Sequence, residues 1–221
     1  MSSSSPNRMI LLGAPGAGKG TVAKGLVDHL QVTHLSTGDM LRAAIKAGTE
    51  VGMLAKTFMD RGALVPDDVM VALIAERVGQ DDCKAADGSA KFLLDGFPRT
   101  LPQADALDDR GLGPDAVIYL KVDVDVIVER LTGRRSCPGC GAPYHVTFRR
   151  PKVDGICDIC ETALVHRSDD QEGPIRKRLD AYNGQTAPLV DRYRAQLVAI
   201  DGNQSPSDVL KDVLVAVSAA G

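Results

Sequence analysis

Short apolar runs alternate along the chain with segments of helical periodicity. The first run, at residues 9–12, is followed by a glycine-rich stretch and then by helical periodicity from Lys19 to Leu30. Further strands are predicted at residues 34–36, 92–94, 116–120 and 197–200, and further helices at 40–47, 68–78 and 124–134. This alternation predicts an α/β fold, in which a parallel five-stranded sheet carries helices on both faces.

Residues 135–168 interrupt the alternation. They are rich in Gly, Pro, Cys and β-branched residues, and we interpret them as a small β-rich insertion. The whole chain has 221 residues, which suits one α/β domain of ordinary size with such an insertion.

The composition argues against some binding partners and some cellular locations. The chain has 26 Lys and Arg against 29 Asp and Glu, a net charge of -3, so we expect neither nucleic acid nor a membrane surface as a partner. Residues 1–8, MSSSSPNR, lack the apolar part of a secretory signal, and no later segment is apolar for long enough to span a bilayer. A soluble, cytoplasmic protein is therefore expected.

The glycine-rich stretch GAPGAGKGT has the spacing of a phosphate-binding loop. Gly13 and Gly18 frame four residues before Lys19, which can reach the β and γ phosphates of a nucleotide. The Ser or Thr that usually follows the lysine is replaced by Gly20, with Thr21 one place later, which weakens the case for direct magnesium ligation by the loop. A phosphate loop alone does not separate a kinase from a molecular switch or an ATPase, and a glycine-rich turn without a ligand is the alternative.

Arginines favour a kinase. The stretches STGDMLR and DGFPRT place Arg42 and Arg99 near the ends of predicted strands, where open α/β sheets bind ligands. More arginines flank the insertion, at positions 130, 134, 135, 167, 176 and 178. Each alone could be a solvated surface charge. Together they suit phosphoryl transfer between two nucleotides, in which neutralising charge on the moving phosphate supplies most of the catalysis.

In this order, GAPGAGKGT, STGDMLR, DGFPRT, GRR, YHV, RSDD and RKRL resemble the adenylate kinase family, in its long form that carries a lid. The resemblance covers nearly the whole chain. It implies a P-loop NTPase-type fold and reversible phosphoryl transfer from MgATP to AMP, giving two ADP, in an enzyme that is usually monomeric. It also implies a core of residues 1–36, 79–134 and 169–221, an AMP-binding segment at 37–78 and a lid at 135–168.

The resemblance assigns roles to individual residues. The catalytic set is Lys19, Arg99, Arg134, Arg167 and Arg178. The ATP-binding set is Gly16, Ala17, Gly18, Lys19, Gly20, Thr21, Arg130, Arg134, Tyr144 and His145. The AMP-binding set is Thr37, Arg42, Val65, Gly96, Arg99, Gln103, Arg167 and Arg178, with Gln103 reading the adenine. Asp95 is implied to orient Mg²⁺ through waters, and Asp169 and Asp170 to anchor the arginines of the lid.

Four of the five cysteines form two C-x2-C pairs, Cys137 with Cys140 and Cys157 with Cys160. Two such pairs can wrap one tetrahedral Zn²⁺, and four thiolates leave no open position for water, so we expect a structural zinc. A redox pair and a zinc ribbon for nucleic acid are the alternatives, and iron or cobalt would suit four thiolates as well. Cys83 stands alone and is interpreted as a buried or tolerated thiol.

Other functions stay open on the sequence alone. A GTP:AMP phosphotransferase or a kinase for UMP and CMP would keep the reaction and change one nucleotide. A nucleotide-gated switch would hydrolyse ATP without needing AMP. A purely structural zinc module would leave the phosphate loop without a use.

Overall fold

The computed structural model describes residues 6–220, and for residues 219 and 220 only the backbone. The first five residues of the predicted core, and residue 221, lie outside the described residues. Five strands form a parallel sheet: β1 (Arg8–Leu12), β2 (Thr33–Ser36), β3 (Phe92–Asp95), β4 (Ala116–Lys121) and β7 (Leu197–Asp201). Their order in the sheet is β2-β3-β1-β4-β7. The predicted α/β class and the five parallel strands are confirmed.

Helices cover both faces of the sheet. They are α1 (Lys19–Leu30), α2 (Thr37–Lys46), α3 (Glu50–Met59), α4 (Asp67–Val78), α5 (Leu101–Asp108), α6 (Val124–Thr132), α7 (Glu172–Ala181), α8 (Leu189–Arg192) and α9 (Pro206–Ala220). Helices α1 and α9 bury Leu26 and Val213 against one face, while α4 and α5 bury Ile74 and Leu107 against the other. The sheet lies between the two apolar clusters, so its strands are buried on both sides, as parallel strands require.

One predicted helix was too long. The periodicity predicts a helix over residues 124–134, whereas α6 ends at Thr132 and Arg134 opens a strand. Gly133 is the C-terminal cap of α6, and the chain leaves it as β5 (Arg134–Ser136). The prediction ran too far because the apolar period continues through Leu131 and the next proline, Pro138, comes only after the strand, although Gly133 is itself a signal for the end of a helix.

The insertion is a small β-rich unit. Strand β5 pairs in antiparallel fashion with β6 (Pro143–His145), and isolated bridges join Ser136 to Val165 and Ile156 to Ala163. Its apolar cluster is small, with four buried members: Cys137, Ala142, Tyr144 and Cys157. None of the helices in residues 6–220 combines the length and the apolar character needed to cross a membrane.

Candidate active site

The glycine-rich loop lies between β1 and α1, at the carboxyl end of the sheet. Gly18 caps the helix with a φ of +96°, and Gly16 has a φ of +84°, conformations that favour glycine. A Cβ on Gly16 would lie 2.8 Å from Leu131 Cγ. The loop can therefore take this path only with glycine at these two positions, and it leaves the N-terminal end of α1 open toward the cleft, where anions bind.

Lys19 stands at the start of α1 and turns back over the loop. Its Nζ donates hydrogen bonds to the carbonyl oxygens of Gly13 and Ala14, at 2.8 and 3.0 Å. Burial lowers the pKa of Lys19 to about 8. The Asp95 carboxylate opposes this shift, and the nearby arginines add to it. The ammonium is thus held in a site that already has an excess of positive charge, a site that attracts anions.

Asp95 ends strand β3 and faces the phosphate loop. A Cβ on Gly20 would lie 3.8 Å from its Oδ2 atom. The same oxygen lies 3.4 Å from Nε2 of His34 on the neighbouring strand β2. The Asp95 carboxylate therefore lies beside the phosphate loop, at the carboxyl end of a central strand.

A second group of polar residues lies at the carboxyl ends of β2 and β3. Thr37 opens α2 and donates its hydroxyl to the carbonyl of Gly96, at 2.9 Å. Gly96 has a φ of +83°, and a Cβ there would lie 2.7 Å from Thr37 Oγ1. Arg99 follows in the same turn and donates from Nε to the Gly96 carbonyl at 2.7 Å. Arg42, on α2, is paired with Asp39 at 2.6 Å.

The arginines of the cleft depress one another's pKa values. Burial lowers the pKa of Arg99 to about 10, and Arg178 and Arg42 add to the shift. Burial likewise lowers the pKa of Arg167 to about 10, with further contributions from Arg42 and Arg134. These groups stay cationic at neutral pH, and their mutual repulsion is relieved when an anion binds among them.

Two adjacent carboxylates hold two of these arginines. Arg134 donates to Asp170 from Nε at 2.6 Å and from Nη2 at 2.5 Å. Arg178 lies 3.0 Å from Asp169 and 3.2 Å from Asp170. The side chain of Asp170 is fully buried. Arg134 and Arg178 are therefore held beside the cleft by the same buried carboxylate.

Nine of the residues assigned by sequence meet around one cleft. Those that line it are Lys19, Thr37, Arg42, Val65, Gly96, Arg99, Gln103, Asp169 and Arg178. Arg130 lies half-buried on α6. Tyr144 is not among the cleft-lining residues: it is buried in the insertion, and its hydroxyl accepts from the Asp158 N–H at 2.8 Å. His145 stands at the base of the insertion, where its Nε2 atom lies 3.3 Å from the Glu129 carbonyl oxygen.

The four cysteines of the insertion come together as free thiols. All four Sγ atoms lie within 4.8 Å of one another, with Cys137 and Cys160 at 3.3 Å and Cys140 and Cys157 at 3.5 Å. Four sulfurs at about 2.3 Å from a tetrahedral Zn²⁺ would be about 3.8 Å apart. Backbone N–H groups of Cys140 and Ile159 also point at Cys137 and Cys157 sulfurs, at 3.5 Å. The donor set fits a metal with a preference for thiolates.

Comparison with known proteins gives a consistent result. A family model described as adenylate kinase matches residues 11–198. Adenylate kinase from Desulforamulus reducens is 52% identical over 215 residues, covering 95% of this chain and 99% of its own length. Those from Syntrophotalea carbinolica and Clostridioides difficile are 53% and 46% identical, each over 216 residues, 95% of this chain and 98% of their own.

The chain belongs to the adenylate kinase family. The resemblance predicted from the sequence motifs is confirmed. The chain is therefore an enzyme, a nucleoside monophosphate kinase of the type that converts ATP and AMP reversibly into two ADP.

The sequence did not point to two polar residues that bond to residues lining this adenylate kinase cleft. Asp67, the first residue of α4, accepts hydrogen bonds from Gln103 and Thr100 at 2.6 and 2.9 Å. Thr186, in a π-helical turn at residues 182–186, donates to the Arg99 carbonyl at 2.9 Å. The Pro-Asp pair at 66–67 signals a helix start, but nothing in the local sequence connects it to residue 103.

Proposed function

We propose that this cleft transfers the phosphoryl group by positioning and charge neutralisation, with Lys19 and a ring of arginines as the working groups. The observation that carries the proposal is the convergence of Lys19, Arg42, Arg99 and Arg178 on one cleft, with Arg134 and Arg167 beside it. The acceptor is a phosphate oxygen of AMP, which is already ionised, so the reaction needs no general base. The reaction needs several positive groups around the phosphoryl group, where negative charge develops during the transfer.

The donor nucleotide lies on the phosphate loop in this proposal. The loop from Gly16 to Thr21 cradles the phosphates, and Lys19 exchanges its bonds to loop carbonyls for the β and γ phosphates. Arg130 lies against the donor base, and His145 and Tyr144 meet the nucleotide from the insertion. Tyr144 is buried among residues of the insertion itself, so its contact with ATP requires a rearrangement within that unit.

The acceptor nucleotide lies on the other side of the cleft. Arg42 and Arg99 hold the AMP phosphate, and Thr37, Val65 and Gly96 line its site. Gln103 reads the adenine. Arg134, Arg167 and Arg178 then surround the phosphoryl group in transit, and Asp169 and Asp170 keep Arg134 and Arg178 in place.

The residues beside the loop fit Mg²⁺ bound with ATP. Asp95 offers a carboxylate whose side chain is 12% exposed, next to Gly20, where the loop lacks the usual hydroxyl ligand. Mg²⁺ prefers such oxygen ligands and keeps several of its waters, which suits an indirect role for Asp95. When bound, the ion would neutralise phosphate charge, and Asp95 would hold it indirectly.

Residues 135–168 act as a lid in this proposal, and residues 37–78 as an AMP-binding segment, with the remainder as core. Arg134 and Arg167 stand at the two ends of the lid, so its closure would bring both arginines onto the donor phosphates. Closure also excludes water, which would otherwise compete with AMP as the phosphoryl acceptor.

The four cysteines would hold a zinc ion, which would stabilise the shape of the lid. The lid has only four fully buried apolar residues, too few to stabilise a small unit without a further constraint. Four thiolates fill the coordination sphere, so the metal takes no part in the transfer. A monomeric enzyme in the cytoplasm, without nucleic acid or membrane partners, stays a prediction of the sequence.

Replacement of Lys19 tests the role of the loop. Lys19→Ala is expected to lower turnover by a factor of about a hundred or more, because it removes a charge that contacts the transferring phosphate. Lys24→Ala is the matched control, since Lys24 is an exposed lysine of the same helix. Near-normal turnover of Lys19→Ala would remove Lys19 from the mechanism.

A further inference from the structure

The carboxamide of Gln103 is bonded at both of its ends. Its Oε1 accepts from the backbone N–H of Arg99 at 2.7 Å, and its Nε2 donates to Oδ1 of Asp67 at 2.6 Å. The residue is 1% exposed, yet it lines the cleft. Asp67 is fixed in turn, because its other oxygen accepts from the Thr100 hydroxyl at 2.9 Å.

These two partners allow one orientation of the amide. A backbone N–H can only donate and an ionised carboxylate can only accept. Rotating the Gln103 amide by a half-turn would set Nε2 against the Arg99 N–H and Oε1 against the Asp67 carboxylate, so both hydrogen bonds would be replaced by repulsive contacts. Oxygen and nitrogen positions are thus dictated by the network.

The orientation of this amide matters for a purine. After its two fixed bonds, Gln103 keeps one N–H and one acceptor lone pair. Adenine offers a donor at its 6-amino group and an acceptor at N1, whereas hypoxanthine and guanine offer an acceptor at O6 and a donor at N1. An amide complementary to one edge presents mismatched groups to the other, and only a half-turn would change its preference.

We propose that Asp67 is a positioning residue for nucleotide specificity: it locks the Gln103 amide in the orientation that suits adenine and thereby discriminates AMP from IMP and GMP. This inference rests on the proposed role of Gln103 in reading the acceptor base. Asp67 touches Gln103 and acts through it. It is the first residue of α4, so its carboxylate lies near the positive end of that helix dipole.

The experiment compares AMP with IMP as acceptors, because IMP differs from AMP only at the edge that Gln103 reads. We would measure kcat/KM for both with MgATP in the full-length enzyme. Asp67→Asn keeps the size of the side chain. The Asn amide can either accept a hydrogen bond from Gln103 or donate one to it, so residue 67 no longer excludes the rotated orientation of the Gln103 amide. Asp68→Asn is the matched control, since it removes one carboxylate from the same helical turn at an exposed position.

We expect the AMP-to-IMP ratio of kcat/KM to fall by about tenfold or more in Asp67→Asn, the worth of one charge-assisted hydrogen bond, and to stay unchanged in Asp68→Asn. A merely structural role of Asp67 would lower both kcat/KM values together and leave the ratio intact, which would overturn the proposal. An equal fall of the ratio in Asp68→Asn would overturn it as well, since the effect would then be one of general charge.

Gln103→Ala separates failure of this inference from failure of the proposed site. If Gln103→Ala lowers the ratio and Asp67→Asn does not, Gln103 reads the base without help from Asp67, and the inference alone is wrong. If Gln103→Ala leaves the ratio unchanged, the proposed role of Gln103 is wrong and the inference falls with it. Melting temperatures of all three variants identify any loss of folding.

Discussion

Arg134 donates two parallel hydrogen bonds to Asp170, from Nε to Oδ2 at 2.6 Å and from Nη2 to Oδ1 at 2.5 Å, and the Asp170 side chain is completely buried. Arg178 approaches the same carboxylate at 3.2 Å. One buried anion therefore holds two cations that the proposed mechanism needs in the cleft, and it offsets the repulsion between them.

Removing this anion should damage stability and turnover together. Asp170→Asn is expected to lower the free energy of unfolding by about 3 kcal/mol, because a buried ion pair loses one partner. Turnover should also fall, since Arg134 and Arg178 lose their common anchor. Urea unfolding and ADP production measure the two effects. Glu172→Gln, which breaks an exposed pair with Arg176, serves as the control and should change neither. Wild-type stability in Asp170→Asn would show that the pair contributes nothing to the fold.

The lowered pKa of Lys19 makes ATP binding dependent on pH. Burial places this pKa at about 8 in the free enzyme, and a bound phosphate favours the ammonium form. Affinity for ATP should therefore be greatest below pH 8 and decrease as the pH rises to 9.5. Near pH 8 the enzyme should take up a proton on binding, which calorimetry in buffers of different ionisation enthalpy detects. Lys24→Ala should keep the proton uptake and Lys19→Ala should lose it. A flat profile between pH 7.5 and 9.5 would contradict this account.

Loss of one metal ligand should destabilise the lid and leave the nucleotide cleft intact. Cys157→Ser is expected to lower zinc content and the melting temperature, because a structural metal contributes directly to the folding of a small unit. Residual turnover should persist at low temperature, because the four sulfurs form their own cluster within the insertion. Zinc content is measured on the same sample as activity. Cys83→Ser, a buried cysteine outside the cluster, should leave the zinc content unchanged. Complete loss of AMP binding in Cys157→Ser would contradict a purely structural metal.

Gly133 leaves room for His145. A Cβ on Gly133 would overlap the imidazole ring, which stacks on Phe148 with ring centroids 4.4 Å apart and accepts from the Thr147 N–H at 3.0 Å. Gly133→Ala should therefore displace His145 and raise the KM for ATP about tenfold, with a smaller effect on the KM for AMP. Gly173→Ala is the control, since a Cβ there meets no atom within 4 Å. Equal KM values for ATP in the two variants would separate His145 from the donor site.

The sequence predicted the strands of this fold because buried parallel strands are continuous apolar runs. Residues 92–94 and 116–120 are short, apolar and bounded by loops, and both lie within strands of the sheet. The order of strands could not be predicted in this way, because it depends on how crossovers pack in space. Helix α3 was also not singled out, since its exposed Met53 and Leu54 blur the amphipathic pattern.

In the candidate site, too, local features could be predicted from the sequence and long-range contacts could not. Motifs with local geometry, the phosphate loop and the C-x2-C pairs, could be predicted because glycine spacing and thiol spacing constrain a backbone by themselves. The bond between Asp67 and Gln103 could not, because it joins residues that are 36 positions apart in the chain. Which residues hydrogen-bond in this network depends on how α4 packs against α5, and no local sequence pattern predicts that packing.

In the proposed mechanism this cleft moves a phosphoryl group from ATP to AMP and cannot do so without the acceptor. The most direct measurement is ADP production from MgATP with and without AMP, with the consumption of AMP followed in the same reaction. Two ADP should appear for each AMP consumed, and ADP should be nearly absent when AMP is left out. ADP released at the same rate without AMP would mean that water is the acceptor, and it would contradict the proposed transfer to AMP.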